Sequence, residues 1–305
     1  MNTYKDLNEA FTESLKDLDN DYLLVNSRGT LQKERLWYSL LIKDPTALSI
    51  EVPARKFKPE YAVTEWLWYL SEDPDVKNIG KLASIWKNIA DENNKVESNY
   101  GLWLHGITNE KTGLNQWDWV VNELVSDKDT RRASITINSP HHKGKNNKDY
   151  PCTQYIHFFI RGNKLHMGVN MRSNDAVFGF CNDVFTFCMY QQLMLNELNS
   201  KLRSRHLNSE SKKIELGQYY HSAGSFHVYE THFKMMNKIV QNYGKKHTPN
   251  GSYTEIPYPD LKKFKLRDTI TLKFMKNVLG TLPSKDMSKS EIQIWAKEKM
   301  ELLYV

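Results

Sequence analysis

The sequence predicts an α+β fold, a mixed sheet packed by helices, and three observations carry that expectation. Tyr155 to Arg172 alternates with the period of two of β-structure across a turn at Arg161-Gly162-Asn163-Lys164. The stretch from Pro59 and the stretch from Asp183 to Leu198 instead repeat their apolar residues at helical spacing. At 305 residues the chain is long enough to bury a full core, and without a sharp internal boundary, repeat or low-complexity tract it reads as a single domain over 1–305.

Taken in order, Tyr4 to Leu18 is an amphipathic helix leading into Asn26-Ser27-Arg28-Gly29-Thr30, a turn that offers an exposed Arg to an anion. In the helix from Pro59, Tyr61, Glu65 and Trp68 share one face, which sets an acid among aromatic rings. A second helix is expected over Leu82 to Ile89, carrying Ile85 and Trp86, then a polar break at Asp91 to Asn94 and a turn at Asn99-Tyr100-Gly101-Leu102-Trp103. Ala133 to Asn138 alternates after the pair Arg131-Arg132, and Ser139 to Lys148 is a polar loop delivering the chain to Tyr150-Pro151-Cys152.

On the strand that returns from the hairpin, Leu165, Met167, Val169 and Met171 form the apolar face and His166, Gly168, Asn170 and Arg172 the other. Asp183 stands immediately before a helical apolar run, a position that fits an N-cap. Ser225, His227 and Tyr229 share one strand face opposite Phe226 and Val228, and Ser288 to Glu291 has capping-box spacing at the start of a last helix.

Lys plus Arg total 42 against 36 Asp plus Glu, a net charge of +6 spread in short clusters such as Lys143-Gly144-Lys145 and Lys262-Lys263. This suits small anionic ligands at least as well as nucleic acid. Cys152, Cys181 and Cys188 show neither metal spacing nor an even disulfide framework, and no signal peptide or long apolar run is visible, so a cytoplasmic protein with free thiols, no metal and no membrane segment is expected.

Cys188 lies within a buried helix pattern and reads as a small hydrophobe. Cys152 differs: it opens a strand across a hairpin from the strand that ends at Arg172, whose charge favours the nucleophilic thiolate. Arg28, Arg131, Arg132 and Arg172 are singly ordinary surface charges, but jointly they suit a phosphate dianion.

Several motifs in sequence order resemble the thymidylate synthases and their pyrimidine hydroxymethylase relatives, from about Arg28 to Phe233. They are Thr64-Glu65-Trp66-Leu67-Trp68-Tyr69-Leu70, Ile85-Trp86, Tyr100-Gly101, Arg131-Arg132, Pro151-Cys152, Arg172-Ser173-Asn174-Asp175 with Gly179, and Phe226-His227-Val228-Tyr229. The resemblance implies the thymidylate synthase fold, with a sheet face at a homodimer interface and a divergent C-terminal region from about residue 234.

By resemblance, Cys152 adds to C6 of a pyrimidine nucleoside monophosphate in catalytic surroundings that include Glu65, Tyr100 and Asp183. Arg28, Arg172, Ser173 and, from the second subunit, the positions of Arg131 and Arg132 hold the 5′-phosphate, while His227 and Tyr229 meet the sugar. Ile85, Trp86, Asp175, Phe178 and Gly179 match positions that line the site of the co-substrate 5,10-methylenetetrahydrofolate, with Arg55 and Lys56 toward its glutamate tail.

Four departures tilt the expectation from methyl transfer on uracil toward hydroxymethyl transfer on cytosine. Asp183 stands where thymidylate synthases carry the Asn that reads uracil, and a carboxylate accepts from both the amino group and a protonated N3 of cytosine. Thr153 replaces a His after the nucleophile. Asp149 and Tyr150 replace apolar residues, which admits water to the reacting carbon. The tail lacks the usual Tyr-Asp-Pro-His segment, Tyr253 to Leu261 being a possible remnant. The competing expectations are C5 methyl transfer with release of dihydrofolate, and a non-catalytic nucleotide- or RNA-binding protein on this scaffold.

Overall fold

In the computed structural model, which describes residues 1–143, 148–205, 213–243 less its last position, 245–247, 253–255 and 262–305, a mixed seven-stranded sheet carries helices on one side. The strands are β1 (Asn2–Tyr4), β2 (Leu23–Ser27), β3 (Thr30–Ile42), β4 (Ser134–Thr136), β5 (Thr153–Arg161), β6 (Lys164–Asp175) and β7 (Glu215–Tyr229). Their spatial order is β1-β3-β7-β6-β5-β4, with β2 paired to β3; β1/β3 and β6/β7 are parallel and the other pairs antiparallel. A separate pair, β8 (Lys245–His247) with β9 (Tyr253–Glu255), is antiparallel.

The helices are α1 (Leu7–Asn20), α2 (Pro59–Leu70), α3 (Ile79–Leu82), α4 (Ser84–Ile89), α5 (Gln116–Ser126), α6 (Pro140–Lys143), α7 (Gly179–Arg205), α8 (Phe233–Asn242), α9 (Leu272–Phe274) and α10 (Lys289–Leu303). The long α7 connects the parallel strands β6 and β7 and is buried along most of its length by Phe185, Cys188, Met189, Tyr190, Leu193 and Leu198. The predicted hairpin at Arg161-Gly162-Asn163-Lys164 forms, and the predicted turn at Asn26 to Thr30 proves to join β2 and β3 as a second hairpin; the turns use left-handed backbone at Gly162 and Asn163 and at Arg28 and Gly29.

Several expectations are corrected. The helix expected over Leu82 to Ile89 is two short helices, α3 and α4, separated by extended backbone at Ala83. Asp183 is not an N-cap: α7 starts four residues earlier, at Gly179, so Asp183 projects from the first turns of the helix. The Gly101 segment is not a glycine-dependent turn, since its backbone is helical (φ −59°, ψ −37°) and runs into a π-helical turn at Leu102–Gly106. Part of the polar loop before Cys152 forms α6, and residues 144–147 of that loop lie outside the described residues, as do 256–261 of the Tyr253 to Leu261 segment.

Gly101 is required for a different reason. A Cβ there would fall 1.6 Å from the Tyr69 carbonyl oxygen, so the chain after α4 rests directly on the end of α2. That contact sets Tyr100 face to face with Tyr69, ring centroids 5.0 Å apart.

The C-terminal region packs against the other side of α2. Leu282 N–H donates to the Leu67 carbonyl, the Asn78 amide donates to the carbonyls of Pro283 and Lys285, and Ile292, Ala296 and Leu303 are buried. Helix α10 opens on the predicted capping box of Ser288 and Glu291. A backbone-directed clash cannot relax by rotating a side chain, so Gly101→Ala is expected to destabilise the fold by about 3 kcal/mol or more, measured by denaturant unfolding.

Candidate active site

A cleft of about 1320 Å³ opens between α2, α4, the ends of β6 and β7 and the start of α7. Cys152, Glu65, Tyr100, Ser173, Asp175, Phe178, Gly179, Asp183, His227, Tyr229, Ile85 and Trp86 all line it, so most of the sequence-predicted site is brought together. The volume suits two ligands side by side rather than one small molecule.

Cys152 sits where β5 begins, and β6 holds it in place. The Arg172 N–H donates to the Cys152 carbonyl at 2.8 Å, and the Arg172 guanidinium donates to the carbonyls of Tyr150 (2.7 Å) and Pro151 (3.2 Å). Arg172 is therefore a clamp on the Cys152 turn. Its charge does not produce a low-pKa thiol in the free protein: burial pushes the thiol up to about 11, outweighing the downward pull of Arg172, with Asp183 and Asp149 adding to the rise. The expected thiolate must form as its target is attacked.

Glu65 projects from α2 between the hydroxyls of Tyr61 and Tyr69; Tyr69 Oη donates to its Oε1 at 3.4 Å, and Trp86 Nε1 donates to Tyr61 Oη at 3.0 Å. Burial, then the charge of Asp183, raises the Glu65 carboxyl to about 8. Its Oε2 is buried without a hydrogen-bond partner among the described residues. A proton-carrying acid at neutral pH with a free oxygen is what general acid–base chemistry needs.

Asp183 is set deep in the cleft yet open to it. Burial raises its carboxyl to about 7, while Asn174 Nδ2, donating to Oδ2 at 2.7 Å, pulls it back down. Gly179 makes room for that pair, because a Cβ there would stand 3.3 Å from Asn174 Nδ2 and 3.5 Å from Asp183 Oδ2.

On β7, the rings of His227 and Tyr229 meet edge to face at 4.9 Å, and His227 Nε2 is buried without a partner among the described residues. Burial lowers the His227 pKa against the pull of Asp175, so the ring is neutral at neutral pH. Asp175 accepts the N–H groups of Val177 (3.0 Å) and Phe178 (3.3 Å), shaping the turn into α7.

The cations divide. Arg55 is buried, donates through Nε to the Val177 carbonyl at 2.7 Å and lies over the Phe178 ring, and Lys56 lines the cleft mouth. Arg28 is exposed on its hairpin, near enough for its charge to act on Cys152 and Tyr229. Arg131 and Arg132 are exposed before β4 and do not line the cleft of their own chain.

Sequence reasoning missed two pairs. Asn174 had appeared only as the variable position of a motif. Asp149 is buried in the cleft wall and accepts from the Ser98 N–H and hydroxyl, both at 2.7 Å; its polarity was legible, but not its partner 51 residues earlier.

Residues 51–277 match the family model described as thymidylate synthase. The chain belongs to the thymidylate synthase family. It is accordingly a one-carbon transferase whose family uses methylenetetrahydrofolate as co-substrate on pyrimidine nucleotides. Among its relatives, the deoxycytidylate 5-hydroxymethyltransferase of Enterobacteria phage T2 is 32% identical over 199 residues, 64% of this chain and 76% of the relative. The deoxyuridylate hydroxymethyltransferase of Bacillus phage SP01 is 29% identical over 231 residues, 71% of this chain and 56% of the relative. The fold matches thermostable thymidylate synthase A from Bacillus subtilis with a TM-score of 0.62 at 19% identity, covering 77% of this chain and 84% of that one.

The buried acids make a stability prediction with a definite sign. A carboxyl raised from 3.8 to about 7 favours the folded state below its unfolded pKa, and that contribution is lost as pH rises through 7. Asp183→Asn is therefore expected to melt higher than the parent at pH 8, with the difference shrinking toward pH 4, in thermal scans across that range.

Proposed function

We propose that the protein hydroxymethylates C5 of deoxycytidine monophosphate, with methylenetetrahydrofolate and water as co-reactants and tetrahydrofolate as the second product. The observation that carries this reading is the base-reading position: a carboxylate, Asp183, faces the cleft with one oxygen held by Asn174. Uracil offers an acceptor where cytosine offers an amino donor, so a carboxylate suits cytosine and an amide suits uracil. The identity to the phage T2 deoxycytidylate enzyme supports the same choice.

Methylenetetrahydrofolate supplies a carbon at the oxidation level of formaldehyde. The wide mouth of the cleft fits it, with Trp86, Ile85 and Phe178 as apolar walls and Arg55, Lys56, Lys234 and Lys238 as cations for a carboxylate tail. This chain's residues carry the remaining chemistry. The Cys152 sulfur bonds to C6 and releases its proton, which makes C5 nucleophilic toward the methylene carbon. Loss of the C5 proton, with cleavage of the bond between the transferred carbon and the folate nitrogen so that tetrahydrofolate departs, leaves an exocyclic methylene; water then bonds to that carbon and gives up a proton, and the thiolate leaves C6. Glu65, protonated at neutral pH, holds and moves protons beside the base.

Water capture distinguishes hydroxymethyl from methyl transfer, and the cleft wall supports it. Asp149 and Ser98 place polar atoms in the wall near Cys152. Neutral His227 with its free Nε2, Tyr229 and Ser173 form the sugar and phosphate side, completed by Arg28 and Arg172.

A homodimer completes this reading. The face of the sheet away from the helices exposes Tyr155 and a concavity lined by His157, Phe159, His166 and Tyr220, and Arg131 and Arg132 line neither that concavity nor the Cys152 cleft of their own chain. We place them in the partner's phosphate site, in a single catalytic domain working in the host cytoplasm. No helix among the described residues is long and apolar enough to cross a membrane.

Mass spectrometry of the product from dCMP or dUMP with methylenetetrahydrofolate tests the function. 5-Hydroxymethyl-dCMP is the expected product; thymidylate or 5-methyl-dCMP with dihydrofolate absorbance overturns it. Cys152→Ala is expected to lose turnover by at least about 10³-fold with nucleotide affinity within a few-fold of the parent. For the dimer, sedimentation should give twice the chain mass, and mixing inactive Cys152→Ala with inactive Arg131→Ala/Arg132→Ala should recover activity; inactive mixtures would refute shared sites.

A further inference from the structure

Behind Asp183 runs a hydrogen-bond chain that the reaction itself does not use. Asn174 Oδ1 meets His221 Nε2 at 2.9 Å, and His221 Nδ1 meets the Tyr219 hydroxyl at 2.9 Å. Tyr219, His221 and Asn174 are all buried, at 0%, 2% and 3% exposure, so no exposed solvent competes for these bonds.

Each bond has one workable direction. The Asp183 carboxylate only accepts, so Asn174 must turn its NH₂ to it and its carbonyl to His221. That carbonyl also only accepts, so His221 carries its proton on Nε2, and bare Nδ1 accepts from the Tyr219 hydroxyl. Burial holds His221 down to about 3, which keeps the ring neutral and leaves this tautomer intact. Donation therefore runs in one sense from Tyr219 through His221 and Asn174 to Asp183, and such a chain polarises along its length.

We propose that His221, braced by Tyr219, is a positioning residue for base selection. It fixes the Asn174 amide in the one orientation that donates to Asp183, which pins Oδ2 and presents the other carboxylate oxygen to the base. The proposal rests on the reading of Asp183 as the group that meets the pyrimidine. Without the His221 donor, the buried Asn174 carbonyl is left unpaired and the amide is held at one end only, so Asp183 loses its fixed aim. The carboxylate would still be present, and cytosine preference would fall although no residue touching the nucleotide had changed.

The test compares kcat/KM for dCMP and dUMP, and calorimetric affinities for both, in His221→Phe, His221→Gln, Tyr219→Phe and the parent. Thermal melts check that each variant is folded. His221→Phe removes the donor and should cut the dCMP-to-dUMP ratio by about tenfold, the scale of one buried hydrogen bond. His221→Gln restores a donor toward Asn174 and an acceptor toward Tyr219, and should return the ratio to within about threefold of the parent. Tyr219→Phe deletes one oxygen and should lower the ratio in the same direction by less.

Equal losses on both nucleotides, or lower melting temperatures with an unchanged ratio, overturn the proposal. Should His221→Phe not fold, Tyr219→Phe and His221→Gln decide: the first must lower the ratio and the second preserve it. A parent enzyme that prefers dUMP would sink the cytosine reading instead; the positioning role would then still require Tyr219→Phe to change the affinity ratio.

Discussion

Four strands lose their regularity at one level of the sheet, and the cleft depends on that level. The β3/β7 ladder lacks a pair at Trp37 and Gly224, the β6/β7 ladder lacks one at Arg172 and Gly224, and β5 shifts register between Thr153 and Tyr155. Trp37 adopts left-handed backbone there (φ 53°), uncommon for a bulky side chain. A Cβ on Gly224 would lie 3.0 Å from the Arg172 carbonyl oxygen, so the strands approach closely where they bend. Beyond this level the inward phase of β6 changes from Met171 to Asn174, and that of β7 from Ala223 to Phe226. The change brings Asn174 toward α7 and frees Arg172 to hold the Cys152 turn.

Upon that frame the site's electrostatics follow from burial more than from charge pairing. Glu65, Asp183 and Cys152 line the same cleft, and desolvation by burial is the leading cause of the raised pKa of each. The charge of Asp183 also pushes Glu65 further up. The outcome is a division of labour near neutral pH. Asp183 is the more readily ionised and has a donor waiting on it, whereas Glu65 keeps its proton and an unpartnered oxygen.

Rigidity reaches the site from behind. Helix α2, which carries Glu65, Tyr61 and Tyr69, is pressed on one side by the Gly101 backbone and on the other by the C-terminal region through Leu282 and α10. The family match ends at residue 277, so part of this support is supplied by chain beyond it. Stacked rings from Tyr69 through Tyr100 to Phe187, with centroids 5.0 and 5.7 Å apart, tie α2 to α7 and keep Glu65 and Asp183 on facing walls.

The strands of the β5–β6 hairpin, α2, the α10 capping box and the cleft residues Cys152, Glu65, His227 and Tyr229 were legible in the sequence, because each expresses local periodicity or a short motif that backbone geometry obeys. The position of Asp183 was legible only in part: its place at the start of a helix was plain, but the preceding helical turn that makes it a cleft residue instead of a cap was masked by the glycine at 179. Asn174 and the pairing of His221 with Tyr219 were hidden, because a period-two reading cannot register a change of phase that arises only when four strands bend together. The Cys152 pKa was misjudged for the same kind of reason: an adjacent Arg can be read from sequence, whereas the burial that outweighs it exists only once helices close over the sheet. Local pattern thus determined the elements and the chemical groups, and tertiary packing decided which way those groups point and which protonation state they hold.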